Sequence, residues 1–88
     1  GEGQFQQALD TLAKALETLP NEHSLWRLRA ELLVAAKKPT DAVTAALKVR
    51  ELNPSDPISE LLLGYCYEAA GDLANANAAR DRAKRLAR

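Results

Sequence analysis

The chain has 88 residues, room for one compact unit, and is 47% hydrophobic but only 5% aromatic, with alanine supplying much of the apolar fraction. Twelve basic residues balance twelve acidic ones, so no global field draws the chain to nucleic acid or to an acidic membrane, and its hydrophobic content excludes a disordered segment. A single cysteine, Cys66, excludes a disulfide framework and a multi-cysteine metal site. No apolar run approaches the roughly 20 residues that span a bilayer, and no signal peptide is present. With no methionine at its start, the chain reads as a segment of a longer protein.

The first predicted element is a one-sided helix over residues 4–19. Phe5, Ala8, Leu9, Leu12, Ala15, Leu16 and Leu19 follow the i, i+3, i+4, i+7 spacing there. A second helix over 23–36 carries Leu25, Trp26, Leu28, Leu32, Leu33 and Val34 over most of its circumference, the mark of a helix buried on several sides. A third, over 40–52, is again one-sided. Pro39 suits its first turn, where a missing N–H costs nothing, and Pro54 marks its end. Asp56 followed by Pro57 reads as an N-cap and a first helical residue. They open a fourth helix over 57–70, with Ile58, Leu61, Leu62, Leu63, Tyr65, Cys66 and Tyr67. Gly71 and Asp72 turn the chain and cap a fifth, one-sided helix over 73–87.

These elements recur. Pro20 and Pro54 lie 34 residues apart, and the same interval relates Gly3, Lys37 and Gly71, then Ala8, Ala42 and Ala76, then Ala15, Val49 and Ala83. Ala30 falls in phase with Gly64, and Leu33 with Tyr67. A period of this length, with two helices in each, points to a stacked-helix array. The small residues at 30, 42, 64 and 76 let facing helices approach to about 8–10 Å.

In the last period Leu63-Gly64, Tyr67, Gly71, Leu73, Ala76 and Ala83 resemble the tetratricopeptide repeat, and in the middle period so do Trp26, Ala30, Ala42 and Pro54. The opening stretch resembles the second helix of such a repeat. The resemblance implies an all-α right-handed superhelix of five antiparallel helices: residues 1–20 as a half repeat, 21–54 and 55–88 as full ones. Arg29, Pro39, Glu60 and Arg80 depart from the family's pattern. They are expected to loosen packing locally, with Arg80 alternatively marking an outer, solvent-facing helix.

The resemblance also implies a function, that of an adaptor or scaffold holding a protein or peptide in a concave groove lined by the first helix of each pair. On the second helix, Arg27, Glu31 and Val34 lie opposite Trp26, Ala30 and Leu33. The 34-residue shift puts Leu61, Tyr65 and Glu68 in matching columns of the fourth helix. These six are the candidate partner-binding residues. Tyr and Arg are enriched in binding hot spots, although Arg27 and Glu31 also read as a plain i,i+4 surface pair. Glu31 and Tyr65, with Leu28 and Leu62 beside them, do not fit the family's carboxylate clamp for chaperone tails, which uses lysines and asparagines.

No catalytic, metal or cofactor site is legible. His23 has no ligand partner at a useful spacing, Cys66 reads as a small buried hydrophobe, and no glycine-rich phosphate loop occurs. The cations Arg80, Arg82, Lys84, Arg85 and Arg88 gather in the last helix without an aromatic residue to stack a base. Two other readings stay open: a spacer within a longer array, and a homodimer formed through Phe5, Leu9 and Leu12 if the first helix leaves them exposed. The Ala-, Leu- and Arg-rich vocabulary, with no isoleucine-lysine bias, leads us to expect a bacterial source. Bacterial members of the family often serve secretion and envelope assembly, which leaves cytoplasmic and periplasmic locations open.

Overall fold

The computed structural model describes residues 2–88; Gly1, at the head of the predicted half repeat, lies outside the described residues. Five α-helices follow one another: α1 (Glu2–Thr18), α2 (His23–Ala35), α3 (Pro39–Leu52), α4 (Pro57–Ala69) and α5 (Leu73–Leu86). Each lies within two residues of its predicted bounds. Pro39 and Pro57 sit in the first turns of α3 and α4. The Asp56 carboxylate accepts from the Ile58 N–H at 2.9 Å, and that of Asp72 from the Asn75 N–H at 3.2 Å. Both aspartates thus satisfy an N–H that the helix itself leaves open.

The helices α2 and α4 end with the same device. The Lys38 N–H donates to the Leu33 carbonyl at 2.8 Å and the Lys37 N–H to that of Val34 at 3.0 Å; one period later Asp72 donates to Tyr67 at 2.9 Å and Gly71 to Glu68 at 3.0 Å. This Schellman arrangement requires a left-handed residue just past the helix. The φ values are 62° at Lys37 and 79° at Gly71. Glycine enters that region freely, whereas a side-chain-bearing residue does so at a cost of roughly 1–2 kcal/mol.

Packing follows the chain. Each helix lies against its sequence neighbours, and α2 also touches α4, whereas α1, α3 and α5 do not touch one another. The first helices of the two hairpins, α2 and α4, therefore form an inner row, and the second helices splay outward. The core runs through Leu9, Ala30, Leu33, Ala42, Ala45, Ala46, Val49, Leu62, Leu63, Cys66 and Ala79. Ala30, Ala42 and Ala76 are fully buried, as close approach demands. A Cβ placed on Gly64 would meet the Ala76 carbonyl oxygen at 3.4 Å and Arg80 Cγ at 3.1 Å, so the glycine makes room for α5 and for the arginine stem lying over it. Trp26 is half-buried, packs on the core and donates its indole N–H to the Pro20 carbonyl at 2.8 Å, tying the α1–α2 turn to α2.

The structure corrects three expectations. Leu9 and Leu12 are only 6% and 5% exposed because they pack against α2, so of the three residues expected at an open edge of helix one only Phe5 stays half-buried. Arg80 does not loosen the packing: its stem crosses Gly64 and its guanidinium pairs with Glu68 on α4, while α5, packed on α4 alone, is the outer helix of the stack. Glu60 does not loosen the packing. Its side chain is 3% exposed and lies 3.0 Å from Arg82 Nε on α5 and 3.7 Å from Arg50 Nη1 on α3. One buried carboxylate thus joins three helices. The flanking arginines are each 37% exposed, so their own desolvation stays small while the carboxylate keeps a partner on either side.

Two predictions follow from these contacts and are read by urea unfolding. Lys37→Gly raises stability by about 0.5 kcal/mol, the steric relief less the extra chain entropy of glycine, and Gly71→Ala lowers it by roughly 1 kcal/mol. Arg50→Ala with Arg82→Ala costs about 3–5 kcal/mol, more than the sum of the single changes, because only the double variant strands the Glu60 carboxylate.

Candidate partner-binding groove

Because α2 and α4 lie side by side in the same phase, residues 34 apart fall into columns across the inner row. Arg27 stands beside Leu61, and Glu31 beside Tyr65. Together with Ile58 and Leu62 these four line an open hollow of about 450 Å³. Its α2 wall is polar: the Arg27 Nε donates to the Glu31 Oε1 at 3.1 Å, with the two side chains 54% and 47% exposed. A pair this exposed contributes only a few tenths of a kcal/mol to the helix. The α4 wall is apolar, and Ile58, Leu61 and Tyr65 are about half exposed, at 46%, 50% and 51%. Scattered exposed leucines are ordinary on any surface; three large apolar residues on one helix face beside a hollow form a patch.

Four of the six candidate residues are thus brought together, and two are not. Val34 is half-buried against the core. Glu68 turns toward α5 and pairs with Arg80. Two lining residues were not among the candidates. The sequence pattern sets Leu62 beside the groove and Ile58 within the apolar run of the fourth helix, whereas both line the hollow. The signal for Ile58 was present, since it lies three residues before Leu61 on the same helix face.

Beneath this floor Cys66 is completely buried and unpaired. Burial, with the negative charge of Glu31 adding to it, pushes the thiol up from 9.0 to about 11. It is therefore a protonated packing group at neutral pH, unsuited to nucleophilic attack. Among the described residues no group of three or more His, Cys, Asp or Glu side chains could hold a metal ion. Nor is any helix long and apolar enough to cross a membrane. Of the cations gathered in α5, Arg80 and Arg82 are engaged by Glu68 and Glu60, which leaves Lys84, Arg85 and Arg88 exposed.

Helices in a 34-residue phase, repeated Schellman ends and a paired inner row define an all-α helical-repeat solenoid. The chain belongs to the tetratricopeptide repeat family, whose sequence profile matches residues 1–58. Repeats of this family generally mediate protein–protein interaction, and the family is typically a non-enzymatic scaffold. No curated protein matches the chain as a whole-sequence relative.

The state of Cys66 sets two expectations. A thiol-specific reagent at pH 8 labels the native chain only as fast as the chain opens, and labels it rapidly in urea. Since the folded thiol ionises at about 11 and the unfolded one near 9.0, its effect on stability is flat below pH 9. Above that, the unfolded chain loses its proton first and is favoured, so stability falls between pH 9 and about 11. Comparison with Cys66→Ala, which lacks this part of the alkaline slope, isolates it from the tyrosines and lysines.

Proposed function

We propose that the chain is a protein-interaction module and that the hollow between α2 and α4 holds a short segment of a partner protein. The observation that carries this reading is the exposed apolar wall of Ile58, Leu61 and Tyr65 facing the Arg27–Glu31 pair across an open hollow. An apolar side chain of the partner fits against the α4 wall, where its burial contributes about 25 cal/mol per Å². Polar groups flanking it exchange hydrogen bonds with Arg27 and Glu31, which fixes register more than it adds affinity. The residues are rigidly presented, since α4 is packed on α2, α3 and α5, so little ordering cost attends binding.

The charge of the groove argues for the kind of segment. Its one cation, Arg27, is already paired with Glu31, and no lysine lines it. A peptide ending in a carboxylate would bring that charge beside Glu31. An internal segment with a large apolar residue and uncharged polar neighbours suits the groove better.

Selection of a displayed random-peptide library on the immobilised chain tests this. The selected peptides share one large apolar residue with polar flanks, and their affinity changes little with salt, because the groove offers no net charge to screen. Arg27→Ala combined with Tyr65→Ala, at unchanged helicity and melting temperature, weakens them by about tenfold or more, that is by about 1.4 kcal/mol or more. Equal binding to both forms removes the groove from consideration.

A further inference from the structure

The outer helices α1 and α3 do not touch, and the cleft between them is floored by α2. It measures about 550 Å³ and is lined by Ala13 and Leu16 of α1, Trp26 and Arg29 of α2, and Asp41 and Ala45 of α3. All three walls are part of this chain. The helices α4 and α5 do not reach α1, so the hairpin that follows leaves the cleft open.

One period later the matching cleft is closed from within. Arg50 of α3 and Arg82 of α5 reach Glu60 of α4 from either side, at 3.7 and 3.0 Å. In the first cleft the phases of Arg50, Glu60 and Arg82 are held by Leu16, Trp26 and Lys48. Lys48 pairs along its own helix with Glu51 at 3.6 Å, so among the described residues no ion pair spans α1 and α3. Where the second cleft has a carboxylate, this floor carries an indole. Its N–H already donates to the Pro20 carbonyl at 2.8 Å, which leaves the half-buried ring to an apolar neighbour.

Arg29 supplies the second observation. Its phase is that of Leu63, which is wholly buried. The repeat thus accepts an apolar side chain here, and this hairpin places a guanidinium instead. Arg29 is half-buried and makes no hydrogen bond or ion pair through its side chain among the described residues. Asp41, on the facing wall, is exposed in the first turn of α3, where its carboxylate complements the helix N-terminus. The fold therefore leaves a partly desolvated cation without a counter-charge, and an anion brought to it gains a charge-assisted hydrogen bond.

We propose that the α1–α3 cleft is a second docking site, which takes a short segment of a partner protein with one acidic residue next to a large apolar one. The apolar side chain lies over Trp26 and Leu16, and the carboxylate meets Arg29. Tryptophan and arginine are the residue types that most often anchor such contacts. Asp41 at the rim disfavours a second carboxylate, so a lone acidic residue is selected over an acidic run. Nucleic acid is a poorer occupant: Arg29 is the one cation lining the cleft, and Asp41 would face the phosphates.

The test selects displayed random peptides on the 88-residue chain carrying Arg27→Ala and Tyr65→Ala, so that the α2–α4 hollow takes no part. Binding is followed by the emission of Trp26, the one tryptophan of the chain. The expected peptides pair one acidic with one large apolar residue, shift that emission saturably and lose affinity as salt rises. Arg29→Gln weakens them by about tenfold and leaves the urea midpoint unchanged, because the side chain has no partner in the fold. Ala13→Glu, an exposed change, weakens them as well, and Asp41→Asn strengthens them. The proposal is overturned if no peptide is enriched, if the peptides lack an acidic residue, or if Trp26 emission or the response to Arg29→Gln is absent. It is equally overturned if a double-mutant cycle shows Arg29 and Asp41 stabilising each other, or if oligothymidine displaces the peptides. Since the altered chain already lacks the α2–α4 groove, neither result bears on the reading of that groove.

Discussion

How closely two helices can approach is set by the smallest residues between them, and in this chain those residues are alanine and glycine. Seven of the fourteen buried hydrophobic residues are alanine: positions 30, 42, 45, 46, 76, 79 and 83. A buried methyl contributes about 0.8 kcal/mol, where a buried leucine contributes roughly 1.5–3. Close packing therefore gives tight geometry with a modest apolar driving force. The consequence appears at Glu60. A carboxylate that would be a liability in a large leucine core is held here by Arg50 and Arg82, and it ties α4 to the helix before it and the helix after it. In a linear stack each helix has few neighbours, so a residue that touches two of them has influence beyond its own contact energy.

The same close approach shapes the surface. Because α2 and α4 touch while α1, α3 and α5 do not touch one another, the inner row is continuous and the outer row is open. Side chains of the inner row fall into columns at the period of the repeat. Recognition on such a face is written by whichever residues occupy the columns, while the positions that set the spacing stay small. Arg27 and Leu61 share one column, Glu31 and Tyr65 the next, and neither pair affects the helix contacts made on the opposite sides of α2 and α4.

Much of this was legible in the sequence. The five helices came from apolar spacing and from Pro39, Pro57, Asp56 and Asp72, each of which has a local reason to begin a helix; the spacing came from residues recurring at 34. What was not legible was the fate of long charged side chains. Glu60 and Arg82 are 22 positions apart, and Glu68 and Arg80 are 12 apart, on different helices; no helical wheel brings them together. Glu68 sits in a groove column, but its side chain reaches the other way, to Arg80 on α5. Val34 failed differently. Its angular position lies at the edge of the exposed face, and an apolar side chain at such an edge turns into the core. Lys37 occupies the phase of Gly71, yet sequence alone does not reveal that it accepts the same left-handed backbone.

The helix α4 touches every other helix but α1. One side of it carries Leu63, Cys66 and Glu60 into the interior, and its exposed ridge of Ile58 and Leu61 borders the α2–α4 hollow. Since α4 is clamped by Glu60 and by the Gly64 contact, the wall it presents to the hollow is positioned by the packing of its other faces.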